Sequence, residues 1–216
     1  MGGHVLRFDN RHAMVRAQIE SGAIGEPLLA YAPRLNGAAG QARLKGRVSL
    51  PMVLGVHDFD IGRWMIGSEP VSVVARERRG FLKAKGWDVE NSSVALITFA
   101  NNALATVELD WVLPDGHPTG FDQRLDVNGT TGRAEPIGHD AGVTVIDSGI
   151  STWPDTALWP MIYGRVVGAL EKETEHFIDC TRFQREPMVT PNDALIAVNV
   201  ALAAQGSAGT EVAVVL

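Results

Sequence analysis

A chain of 216 residues that is 45% hydrophobic, 20% charged and carries a net charge of −6 has the profile of an ordinary globular domain. Its acidic balance offers no basic stripe for nucleic acid, no run of eighteen apolar residues spans a membrane, and a single cysteine, Cys180, excludes an intrachain disulfide. The opening MGGHVLRFDN lacks the basic-then-apolar pattern of a secretory leader, so a cytoplasmic protein is expected.

In chain order, Val5–Phe8 reads as a short strand and Arg11–Glu20 as a helix with Ala13, Met14, Ala17 and Ile19 on its apolar side. Ser21-Gly22 stops that helix, and Leu28–Leu35 follows as a strand. The small, polar, glycine-rich stretch 36–47 reads as a loop over a site. Leu50–Ile66 is a mostly buried helix ended by Gly67. A run of strands comes next: Val71–Arg76, Val94–Phe99, Ala103–Trp111, Arg124–Asn128, Arg133–Ile137 and Val143–Ile146. ANNA and NGTTG between them are hairpin signals, since Asn and Gly tolerate the positive φ of tight turns. Helices over Met161–Arg182 and Pro191–Ala204 close the chain, and Val212–Leu216 returns as a strand. Hairpin-joined strands flanked by clustered helices predict an α+β fold, an open, mainly antiparallel sheet with helices on one face. The residues of SSVALITF are apolar on both sides, and Ala105, Val107, Leu109 and Trp111 add a second apolar alternation. The face without helices is therefore expected to be covered by a second copy of the chain.

GVHDFDIGRWMIG, residues 55–67, places His57, Asp58 and Asp60 among apolar neighbours, where each charge needs a partner or a task. Three residues apart on a helix, Asp60 is placed either to orient His57 or to pair with Arg63. A histidine held at the edge of an apolar pocket suits proton transfer near neutral pH; a core histidine capping a helix end is the other reading that these residues allow. Only His57 and Asp60 of this cluster converge, too few for a metal, and Glu173-x-x-His176 is one pair where a di-iron bundle needs two. No metal is expected. His4, His12, His117 and His139 read as surface or loop residues, and Cys180 as a small buried side chain. There is no G-x-S-x-G elbow and no G-x-G-x-x-G fingerprint, and the Gly129–Gly132 turn lacks the lysine and helix of a phosphate loop.

HVLRFDNRHAMVRAQIESGAIGEP, GVHDFDIGRWMIGSEPVSVVA, VELDWVLP, VNGTTGRAE and REPMVTPNDALIAVNVALAAQGSA occur in the order found in Gfo/Idh/MocA-type oxidoreductases. The chain resembles the C-terminal half of such an enzyme. The resemblance implies a single substrate-binding and oligomerisation domain over 1–216, of the dihydrodipicolinate-reductase-like C-terminal type. Residues 1–9 resemble the last strand of a Rossmann domain that this sequence lacks. It also implies NAD or NADP in the complete enzyme, with no cofactor expected for this chain alone. A small-molecule substrate, either a sugar, a cyclic polyol or a relative, and a homo-oligomer are implied as partners. His57 matches the family histidine that exchanges a proton with the substrate. Arg7 matches a basic residue near the domain junction and is expected to contact substrate, as is Asn36, which matches a polar substrate contact. Trp111 and Trp159 fall in segments lining the substrate side, and Asp60 takes a supporting role behind His57. Where many members carry an aspartate four residues before this histidine, the chain has Val53, and SLPM replaces a glycine pair. Those departures leave a second reading, a non-catalytic binding or assembly module that has lost the cofactor domain.

Overall fold

The computed structural model describes residues 1–136 and 142–216. Val5–Phe8 is a 3-10 turn and not a strand: the Arg7 and Asp9 amides bond back to His4 and Leu6. Leu6, Arg7 and Phe8 are buried in succession, a pattern that the two-residue alternation of a half-buried strand does not produce. Asp9 then caps helix α1 (Asn10–Glu20), accepting the Arg11 amide at 2.8 Å. The buried side of α1 is His12, Val15 and Ile19, so Ile19 of the expected apolar side is buried while Ala13, Met14 and Ala17 are exposed.

Strand β1 (Pro27–Gly37) is longer than its apolar core suggests. The glycine-rich stretch after it is not all loop: Ala39–Leu44 forms a short helix, α2, seated on Trp111 through Gly40. The helix expected over 50–66 is two pieces, a π-helical turn Pro51–Gly55 running into α3 (Val56–Ile66). Gly67, at φ +71°, ends α3 as the sequence indicates. Then come β2 (Pro70–Arg78), β3 (Ser92–Phe99) and β4 (Leu104–Leu113). Where one strand was expected over 124–128 there are two, β5 (Phe121–Gln123) and β6 (Asp126–Gly129), because the Arg124 amide turns to bond the Pro33 carbonyl. Strand β7 is only Arg133–Ala134, and Ile137 of the expected strand lies outside the described residues. Two small hairpins follow, β8 (Val145–Asp147) with β9 (Ile150–Thr152) and β10 (Met161–Ile162) with β11 (Arg165–Val166). The next helix, α4 (Ala169–Phe183), therefore starts eight residues later than expected. Helix α5 (Pro191–Thr210) opens on a capping box between Thr190 and Asp193, and β12 (Val214–Val215) ends the fold.

Among the described residues the main sheet has eight strands, in the order β12-β2-β3-β4-β1-β6-β7 with β5 also on β1. All pairs are antiparallel except β1 with β4, which run parallel at the centre. Helices α3 and α5 pack on one face, with α3 over β1 and β4 and α5 over β2. Ala105, Val107, Leu109 and Trp111 all point into this helical side and are buried, contrary to the expectation that they enrich the open face. On the open face stand Val74, Val94, Leu96 and Leu104, with Val94 46% and Leu96 41% exposed. Thr106, Glu108 and Tyr31 interrupt this patch, and the Tyr31 hydroxyl donates to Glu108 at 2.8 Å. Among the described residues no helix is long and apolar enough to cross a membrane.

Candidate functional site

The π-helical turn and α3 descend steeply onto the sheet because Gly55 has no side chain: a Cβ there would come 2.9 Å from Leu109 and 2.8 Å from Phe59. This approach sets the first turn of α3 against the far end of β1, where each of three acidic or basic residues meets a definite partner. Asp58 takes the Arg34 guanidinium of β1 in two bonds, 2.6 and 3.0 Å, and is fully buried. Burial pushes its carboxyl up, and Arg34 beside it pulls the other way. Asp60 takes the Arg7 guanidinium in two bonds of 2.9 and 2.5 Å. Arg63 bonds Glu69 and Asp193.

This pairing corrects two expectations. Asp60 bonds neither His57 nor Arg63, because the Arg7 fork satisfies both of its oxygens. Arg7 in turn is buried in that ion pair, with its remaining bond to the Met188 carbonyl, and presents no free guanidinium to a ligand.

His57 is left without a carboxylate. Its ring is half-buried, and its Nδ1 is sealed from solvent with no hydrogen-bond partner. The His4 ring stands edge-on to it, 5.9 Å between centroids at 83°. Burial first, then the charges of Arg34 and His4, lower its pKa from 6.5 to about 4, so the imidazole is neutral at pH 7. With Nδ1 sealed, Nε2 is the nitrogen open to a ligand hydroxyl, and the lowered pKa keeps it unprotonated and free to accept a hydrogen bond.

Other uncommitted polar atoms fall at the same end of the sheet. Asn36 follows Arg34 along β1, and its Oδ1 is buried without a partner. Trp111, on β4 one residue past the Leu35–Asp110 pair, is 3% exposed with Nε1 unbonded. Gln41 of α2 is fully buried with neither amide atom bonded, and the Ser49 hydroxyl just before the π turn is likewise sealed. Buried polar atoms are nearly always paired in folded proteins, so a concentration of unpaired ones marks a place built for something other than packing. Trp159 stands apart from this list: it is half-exposed in a turn whose amides, from Ala157 to Trp159, are bonded by the Asp155 carboxylate.

The remaining histidines are not all surface residues. His4 and His12 are buried, His12 with Nδ1 3.5 Å from Asp9. His117 bonds Thr119 in a loop, and His139 lies outside the described residues. His176 accepts the Met188 amide at 2.9 Å and stands 3.4 Å from the buried Cys180 sulfur, so its pairing with Glu173 is not a ligand pair. Among the described residues no three His, Cys, Asp or Glu side chains gather as a metal site would require. A small cavity of about 60 Å3 lies between α1 and the β5–β6 edge, walled by His12, Phe121, Gln123, Arg124, Trp153 and Leu158. His57 is not among its walls.

Arg34, His4 and Gln41 were not singled out from the sequence. Arg34 had a signal: in Ala30, Ala32, Arg34, Asn36 an arginine continues the inward alternation of a buried strand. Gln41 had none, since its helix lies in a stretch with loop composition.

The family model for the GFO/IDH/MocA C-terminal domain matches residues 12–135. The scyllo-inositol 2-dehydrogenase (NAD(+)) of Bacillus subtilis (strain 168) is 30% identical over 211 residues, covering 95% of this chain and 59% of that protein. Among solved structures, myo-inositol 2-dehydrogenase from Lactobacillus plantarum aligns at a TM-score of 0.80 and 19% identity, covering 99% of this chain and 64% of that one. Scyllo-inositol dehydrogenase from Lactobacillus casei with bound NAD(H) and scyllo-inositol aligns at 0.78 and 20%, covering 99% and 63%. The chain thus spans about three fifths of the length of these relatives. With the family model matching more than half its residues, the chain belongs to the GFO/IDH/MocA family and corresponds to its C-terminal domain.

Proposed function

We propose that this chain is the substrate-binding and assembly domain of an NAD(P)-dependent, cytoplasmic oxidoreductase acting on a cyclic polyol, a sugar or a related small molecule. The observation that carries the reading is His57, a neutral, half-buried imidazole whose Nδ1 is sealed while Nε2 stays open, with no carboxylate to hold it. It takes the proton of a ligand hydroxyl on oxidation and returns it on reduction. Asn36 accepts from a neighbouring hydroxyl through its unpaired Oδ1, and Trp111 donates through Nε1. Trp159 joins the ligand side on its exposure. Asp60 serves from behind, holding α3 to the N-terminal segment through Arg7. The inositol dehydrogenases among the relatives support the polyol class.

The described residues do not fit a dinucleotide's pyrophosphate. Gly37 and Gly40 stand where β1 gives way to α2, but α2 is only six residues long and Gly40 is packed against Trp111, not an open cradle. The Gly129–Gly132 turn is closed, its Thr130 and Thr131 amides bonded to Glu26 and Ile24, and a Cβ on Gly129 would strike the Ile24 carbonyl at 2.1 Å. Calorimetry on the chain alone should therefore detect no NAD or NADP binding; a stoichiometric dissociation constant of about micromolar order overturns this.

Joined to the nucleotide-binding half of an inositol dehydrogenase, the domain should support NAD reduction with inositols or sugars. A joined protein that folds and binds NAD yet turns over no polyol would favour the second reading, a non-catalytic module, to which Val53 at the helix entry lends support.

Assembly through the open sheet face follows from Val74, Val94, Leu96 and Leu104, apolar side chains contiguous across three strands. Light scattering at micromolar concentration is expected to give a dimer or larger. Leu96→Asp, at the centre of the patch, should shift it toward monomer without loss of helical content. A monomeric wild type would refute the assignment.

A further inference from the structure

The carboxylates nearest His57 in sequence are both committed elsewhere, Asp58 to Arg34 and Asp60 to Arg7. Imidazoles that move protons are ordinarily aimed by a hydrogen bond on the nitrogen away from the substrate. His57 Nδ1 has no such bond. What stands against its ring is the imidazole of His4, edge-on at 5.9 Å and 83°, itself 6% exposed and with its own Nδ1 sealed and unbonded. His4 is firmly placed: the Gly2 amide bonds the Val189 carbonyl at 3.0 Å, and the His4 carbonyl accepts the Arg7 amide at 3.2 Å. Gly2 has no room for a side chain, since a Cβ would come 2.9 Å from Val189 and 3.5 Å from the His4 ring.

We propose that His4 is the positioning residue of His57: its ring replaces the missing carboxylate, fixing the plane of the His57 imidazole by edge-to-face packing and keeping water from Nδ1. This rests on the reading of His57 as the proton-transfer group. The arrangement requires both rings to be neutral, since two imidazolium ions at this distance repel. The charged groups acting on each ring are few. His4 is influenced by Asp60 and Asp193, which favour its protonation, and by Arg7, which opposes it; burial outweighs all three and lowers its pKa. His57 is influenced by Arg34 and His4, both opposing protonation. A carboxylate in place of His4 would raise the basicity of His57, whereas an imidazole aims the ring and leaves it neutral.

The test is imidazole NMR on the 216-residue chain, titrated from acid to neutral pH, with His57 resonances assigned by their loss in His57→Asn. In the wild type the two rings should show mutual cross-relaxation, and His57 should titrate well below 6.5. His4→Phe keeps a flat ring and removes only the last-named of the influences that oppose protonation, so the ring-current shifts should stay close to wild type and the His57 midpoint should rise much less than in His4→Ala. His4→Ala admits water and should raise the midpoint by about one unit, a tenfold larger protonated fraction at a given acid pH, and abolish the ring-current shift. Absence of cross-relaxation, an unmoved midpoint in His4→Ala, or a midpoint moved as far by His4→Phe overturns the proposal. If His4→Ala does not fold, the wild type and His4→Phe decide it. No readout here depends on turnover, so a His57 that proves kinetically idle fails the earlier reading by a separate measurement.

Discussion

Replacing His57 by asparagine in the joined enzyme is expected to lower kcat by about 10²- to 10⁴-fold, the usual loss on removing a general acid–base, with KM little changed. Asparagine fills a similar space and keeps a polar edge, so the domain should fold with its α3 contacts intact. The sign of the pH effect separates chemistry from packing. His57 binds a proton at about 4 in the folded chain against 6.5 ordinarily, so between those values the unfolded chain takes up the proton first. Its neutral burial is therefore compatible with full stability above pH 6.5, and that stability declines as pH falls from 6.5 toward 4. His57→Asn removes the proton linkage: unfolding followed by urea should be less pH-dependent across this window than in the wild type. Asp58→Asn provides the contrast. Because Asp58 is fully buried and holds the Arg34 guanidinium, its loss leaves a cation short of its partner and should destabilise the domain far more than it alters the chemical step. If instead His57→Asn leaves kcat intact, or if it unfolds the domain, the histidine is a packing residue.

How much of this was legible beforehand differs by element, and the differences have causes. The strands over 70–113 and helix α5 were readable because alternation and caps such as Thr190-Pro191 are local signals, whereas α4, which has no capping side chain, gave no signal of where it begins. Val5–Phe8 misled because Val5, Leu6 and Phe8 are apolar and β-prone, and only the lack of a pairing partner distinguishes a 3-10 turn. The face of β4 differs for another reason: alternation gives two sides but not which one the helices cover, and that is settled by Gly55 letting the turn into α3 close onto Leu109. At the site, His57 stood out by composition, and Asn36 and Trp111 entered through the family likeness. The partners of the carboxylates did not, since Arg7–Asp60 and Arg34–Asp58 join positions 53 and 24 residues apart. Which of several arginines meets which aspartate is decided by the approach of α3 to β1 and the N-terminal segment, a property of packing that no local pattern contains.

The Arg7–Asp60 pair should be the most sensitive point for stability. Both side chains are almost completely buried, 4% and 1% exposed, and their two bonds tie the N-terminal segment to α3. Asp193 lies 3.5 Å from the same guanidinium and also bonds Arg63, linking the start of α5 into the cluster. Hydrogen bonds at the helix cap from Thr190, and the arginines beside it, hold the Asp193 carboxyl down at about 2 against the penalty of burial. Removing one member of a buried pair leaves an uncompensated charge and costs about 3–5 kcal/mol, whereas an apolar replacement of both is often near neutral. Asp60→Ala is therefore expected to lower unfolding stability by that order, with Asp193 able to recover only part because its other bonds are already fixed. Arg7→Met combined with Asp60→Leu should lie much closer to the wild type than Asp60→Ala does, because it removes the stranded charge along with its partner. Urea unfolding of the three chains at pH 7 measures both differences. A double variant as unstable as Asp60→Ala would mean that the salt bridge contributes geometry which apolar packing cannot replace. An Asp60→Ala chain as stable as the wild type would mean that Asp193 takes over the Arg7 fork, and that the cluster, not the pair, is what fastens α3 to the N-terminal segment beneath His57.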